Sequence, residues 1–127
     1  MQEHHLFEYA VIRVVPRVER EEFINVGVIL YCAKLKFLQC LYTVDVSRLK
    51  AFCHLLDIED LAANLKAFEQ ICNGGKHAGA IGMLDAASRF RWLTATRSTV
   101  VQASKVHPGF SANPSATLLR LHEQLVL

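Results

Sequence analysis

The chain has 127 residues, 52% of them hydrophobic, with a mean hydropathy of +0.22 and a net charge of +2. That length is expected to form one domain over 1–127 with a sizeable core, and no run nears the ~20 apolar residues of a membrane helix. MQEHHLFEYA has no basic n-region, which excludes a secretory signal and makes the expected compartment cytoplasmic; a pI near 8.4 falls short of the ~9 expected of a dedicated duplex-DNA binder.

FEYAVIRVVP (7–16) is rich in β-branched and aromatic residues and ends at a proline, so it reads as a first strand. The charged run RVEREEF connects it to INVGVILYC, a second strand, and a tight turn near Ala33–Leu35 leads to KFLQCLYTV (36–44), a third. The period then changes. Val46, Leu49, Phe52, Cys53 and Leu56 recur at helical spacing after Asp45, and Ile58, Leu61, Leu65, Phe68 and Cys72 do so after Asp57. Asn73-Gly74-Gly75 stops that second helix, and a third is expected over 79–89. FRW reads as an extended stretch with Phe90 and Trp92 facing inward, RSTVVQAS (97–104) as a fourth strand, and Asn113-Pro114 as the start of a last helix. The order βββ-ααα-β-α predicts an α+β fold, an antiparallel sheet of about four strands covered by helices.

Asn25 and Gly27 are misfits in an otherwise apolar strand. If the first two strands pair so that residue numbers sum to about 40, then Ala10, Ile12, Val14, Val26, Val28 and Leu30 form the core face. The other face sets Arg13 opposite Gly27. A mid-strand glycine marks a close approach or a bulge. Arg13, Glu22, Asn25 and Gly27 are therefore one candidate polar pocket, with the Arg13 guanidinium crossing the glycine toward Asn25 and Glu22.

Charge is unevenly spread. Residues 1–85 hold nine Lys/Arg against eleven Asp/Glu, whereas residues 86–127 hold five against one. That basic third supplies a second candidate: Arg97, Ser98, Lys105 and His107, ahead of a helix start whose free N–H groups attract anions. Its alternative is a set of arginines paired with helix carboxylates. Phe90 and Trp92 as a base-stacking platform is a further alternative to burial. The six histidines and four cysteines form no metal-ligand spacing, no nucleophile elbow is present, and no cofactor is implied. The cysteines fall at apolar positions, as reduced core filler in a cytosolic protein does.

YAVIRVVPRVEREEFINVGVILY resembles the opening signature of the bacterial domain-of-unknown-function family 3037, a strand ending R-x-x-P followed by E-x-x-N-V-G-V. Here that pattern falls on Arg13, Pro16, Glu22, Asn25, Val26, Gly27 and Val28. SRFRWLTATRSTVVQASKVHPGFSANPSATLLRLHEQLV is similar to the family's second signature, with Asn113 where members often carry an acidic residue. The resemblance implies no reaction, and it implies a protein partner through the kinase-like protein that members often adjoin. The apolar excess also points to a covered surface, a homodimer or a bound partner. The expected function is a non-catalytic interaction or regulatory module. The alternatives are an anion-binding domain for phosphate, nucleotide or nucleic acid, and an enzyme using Arg13, Glu22 and Asn25.

Overall fold

Ten residues rich in β-branched and aromatic side chains, His5–Val14, form β1, the strand on which the sheet is assembled. The computed structural model describes residues 3–97 and 99–127. β2 (Ile24–Cys32) pairs antiparallel with one edge of β1, and β3 (Phe37–Tyr42) lies outside β2. The other edge of β1 is shared by β4 (Val101–Ala103) and β5 (His107–Ser111), both antiparallel to it. The fold is α+β, an open antiparallel sheet of five strands with five helices among the described residues. One strand more than expected is present. It is the His107-Pro108-Gly109 run, whose residues signal a turn locally but sit at a sheet edge, where proline is tolerated.

Asp45 and Asp57 cap α1 (Val46–Phe52) and α2 (Ile58–Asn73), each carboxylate accepting a backbone N–H three residues on. The single helix expected over 79–89 is two: α3 (Gly79–Gly82) and α4 (Ala86–Thr94). Asp85 divides them, its backbone extended and its side chain accepting from Ser88 N–H at 2.7 Å. FRW is therefore helical rather than extended. Phe90 faces the core, while Trp92, ~200° further round the helix, is 39% exposed. α5 (Pro114–Leu125) starts at its Asn113 cap.

The register corrects the expected one. Residues from Glu8↔Tyr31 to Ile12↔Gly27 sum to 39, and a bulge at Val26 then sets Arg13 opposite Asn25 and Val14 opposite Ile24. A slip of one residue moves side chains to the other face. Ala10, Ile12 and Val14 keep Val26 on their side and gain Ile29, under α1, α2 and α4, whereas Val28 and Leu30 turn to the opposite face, under α5. Pattern alone could not choose between the registers, because both faces of β2 are apolar. The two cores use much of the apolar excess that the composition carries, yet Leu6 and Phe110, paired across β1 and β5, remain 52% and 70% exposed. Among the described residues no helix is long and apolar enough to cross a membrane.

Candidate functional site

The four residues of the opening signature do not form one pocket. Gly27 serves the neighbouring strand: a Cβ there would lie 2.5 Å from the Leu41 carbonyl oxygen and 2.8 Å from Tyr42 Cβ. Close approach is real, but its partner is β3 and not Arg13. Asn25 donates through Nδ2 to the Leu125 carbonyl at 3.1 Å, tying the end of α5 to the sheet. Arg48 reinforces that tie, donating to the Val126 carbonyl at 2.7 Å. Glu22 pairs with Arg20 in the exposed loop, which holds its carboxyl below the usual range through hydrogen bonding and charge.

Arg13 takes a different course. Alternation with Ile12 and Val14 puts it on the α5 side of the sheet, and the bulge at Val26 sets it opposite Asn25; across the other edge it lies opposite Gln102. Its guanidinium lies 3.9 Å from the centre of the Phe23 ring, a cation–π contact, while its Nε is buried with no hydrogen-bond partner among the described residues. It forms the shared wall of two clefts.

The first cleft, of about 420 Å³, opens where the chain leaves β4 at Ala103 and rejoins β1 at His107. Arg13, Lys105 and His107 line it together with Thr94, Thr96 and Ser104, and no carboxylate does. Local structure fixes the floor. Ser104 Oγ accepts from Val11 N–H at 2.8 Å and donates to the Lys105 carbonyl at 2.9 Å, so β4 is pinned to β1 where it turns away. Thr94 donates to the Phe90 carbonyl at 2.8 Å, which closes the last turn of α4. These two hydroxyls are spent as donors; Thr96, Lys105, His107 and the Arg13 guanidinium remain to face a ligand. The His107 ring rests against Tyr9, centroids 5.3 Å apart. Three basic groups thus surround a concave space whose lining, among the described residues, includes no acid.

The second cleft, of about 410 Å³, has Val15, Val18 and Phe23 on its apolar side and Glu21, Gln102 and Arg97 on its polar side. Phe23 is 45% exposed.

The expected anion cluster is thus rearranged. Lys105 and His107 are together, joined by Arg13, which had been assigned to the other pocket. Arg97 is not with them: its guanidinium donates to the Trp92 carbonyl and lies 3.9 Å from the Trp92 ring centre. Ser98 lies outside the described residues. The start of α5 stands at the far end of β5 from His107, ~13 Å away at strand rise, and Asn113 caps it. Phe90 is fully buried against Tyr31, centroids 5.3 Å apart, so it gives no stacking platform with Trp92. Among the described residues Arg89 pairs with no carboxylate either; it donates to the carbonyls of Leu84, Ile71 and Cys72.

A family model described as "Protein of unknown function (DUF3037)" matches residues 9–126, nearly the whole chain. The chain belongs to that family. No curated protein and no solved structure matches it. The opening signature of this DUF3037 chain now has a physical reading: Gly27 admits β3, Asn25 holds α5, and Arg13 lines the cleft that also holds Lys105 and His107. Thr94, Thr96 and Ser104 were missed in the sequence because hydroxyls at a helix end and a strand end carry no spacing signal. All four cysteines are free, and the Cys72 thiol is pushed far up by its contact with Cys40 and by burial, which keeps it an inert core group. Among the described residues no group of three or more His, Cys, Asp or Glu is placed to hold a metal ion.

Proposed function

We propose that this DUF3037 domain is an anion-binding module for a phosphate-bearing ligand. One observation carries the reading: Arg13, Lys105 and His107 converge on a single cleft with no carboxylate in its lining. Phosphate should raise the melting temperature of the native chain more than chloride at matched ionic strength. Sulfate and phosphate also stabilise proteins generally by exclusion from the surface, so the variants decide. Arg13→Ala and Lys105→Ala should lose most of the excess shift, Arg13→Lys should keep part of it, and a response equal to the native one in Arg13→Ala sinks the reading.

A second reading, a surface for a protein partner, is favoured by the exposed Leu6–Phe110 pair. A second copy of the chain is its simplest occupant, a kinase-like protein the one the family resemblance implies. Sedimentation at micromolar concentration should give a species of about twice 14.3 kDa that Phe110→Ser reduces to monomer. A native monomer removes the homodimer. Both readings are of a non-catalytic, cytoplasmic bacterial domain.

A further inference from the structure

The two clefts on either side of Arg13 are chemically unlike, and the difference bears on what the ligand is. The sheet-edge cleft offers cations and a hydroxyl, the surroundings of a phosphate. The neighbouring one offers a part-exposed aromatic ring, the apolar side chains of Val15 and Val18, and the Glu21 carboxylate. Glu21 stands at the end of the short 3-10 turn Val18–Arg20 with φ +56°. Among the described residues no ion pair or side-chain hydrogen bond engages that carboxylate, whereas its neighbours Glu19 and Glu22 are held by Arg17 and Arg20. A free carboxylate next to an aromatic face is an acceptor for an N–H donor on a flat ring.

We propose that the ligand is a nucleoside phosphate whose base carries an exocyclic amino group. The phosphate lies among Arg13, Lys105 and His107, and the base rests against Phe23 and Val18 and donates its amino hydrogens to Glu21. Arg13 faces both halves: its guanidinium already lies over the Phe23 ring at 3.9 Å, and the same side chain lines the phosphate cleft. Each cleft by itself falls at the small end of ligand sites, which run to about 1,000 Å³, and the two in tandem suit a ligand of nucleotide length. Stacking of a base on an aromatic side chain is strong enough to read out, and an Arg plane beside it adds to the platform.

This inference rests on the anion-site reading, and calorimetry with four probes separates the two. Adenosine monophosphate should bind the native chain at least about fivefold tighter than ribose 5-phosphate, the low end of what base–aromatic stacking supplies. Inosine monophosphate, which has the ring but not the amino group, should fall between them. Phe23→Ala should remove most of the advantage of adenosine monophosphate over ribose 5-phosphate while both still bind, and Glu21→Gln should erase the preference for the adenine over the hypoxanthine ring. Phe23 and Glu21 are both exposed, so neither change threatens the fold. Equal binding of adenosine monophosphate and ribose 5-phosphate to the native chain, both abolished by Arg13→Ala, overturns the nucleoside and leaves the anion site standing. A tight adenosine monophosphate complex indifferent to Phe23→Ala and Glu21→Gln overturns it as well. If inorganic phosphate and all three phosphate esters fail to bind, the anion site itself is wrong.

Discussion

Arg89 and Arg13 lie in the same fold, and the fold uses them in opposite ways. Arg89 spends its donors on three backbone carbonyls, two of them, of Ile71 and Cys72, in the last turn of α2 and the third that of Leu84 just before α4. Helix C-terminal carbonyls lack intrahelical partners and carry partial negative charge, so a cation there is a cap. Arg48 does the same for the end of α5, with Asn25 beside it. Among the described residues Arg13 caps nothing: it stands over Phe23 with a buried Nε unpaired and fronts two clefts. A positive charge signifies a ligand only when the scaffold has not already claimed it.

That contrast predicts which changes break the fold and which break only the site. The largest effect on stability belongs to Gly27→Ala. The added methyl meets backbone in the middle of the sheet, so a loss of about 3 kcal/mol is expected in urea unfolding, the upper end of overpacking. A variant as stable as the native chain would mean that β3 does not press on Gly27. Next comes Arg89→Ala, at about 2 kcal/mol, because carbonyls that accepted from a charged donor are left without it. Its phosphate response should be intact; a lost response would place Arg89 with the site and blur the comparison.

Third is a pH effect in the scaffold. His122, at the end of α5, is buried, shares a 2.8 Å hydrogen bond with Thr43 and has an unpartnered Nδ1, and burial holds its pKa below the ordinary histidine value. The unfolded chain therefore takes up the proton first as pH falls. Stability on this account is full above about pH 6.5 and declines below it, until the folded form is protonated too. Unfolding at pH 7.5, 6 and 5 should show the decline, and His122→Gln should flatten it; an unchanged slope would trace it to other groups. The smallest stability effect sharpens the contrast most. Lys105→Ala should alter stability by no more than ~0.5 kcal/mol, as an exposed side chain does, while removing most of the phosphate-specific shift. Should it cost as much as Arg89→Ala, Lys105 would belong to the scaffold.

Much of the fold was legible because its signals are local. Asp45, Asp57 and Asn113 cap the helices expected of them, and the apolar periods place β1 to β3, α1, α2 and α5. Two kinds of element were not. β5 has only five residues, with a proline and a glycine among them, and exists because β1 offers it an edge. The break between α3 and α4 depends on whether Asp85 caps or continues a helix, and its neighbours read either way. Within the candidate sites, Lys105 and His107 were found by charge, and Arg13 was found through its expected place opposite Gly27. Their meeting was not foreseen, since it needs a cleft between β4 and β5 that no strand pattern describes.

What the sequence determined by itself, then, is β1 to β3, α1, α2, α5 and the family, because capping, periodicity and signature spacing act over a few residues. Tertiary structure decided the register of β2, since both of its faces are apolar and only the bulge at Val26 and the pressure of β3 on Gly27 discriminate. It also decided the fate of Arg13, Arg48 and Arg89. A guanidinium reaches several ångströms from its own backbone, and whether it meets a helix end or an open cleft depends on which distant segment the fold brings within that reach.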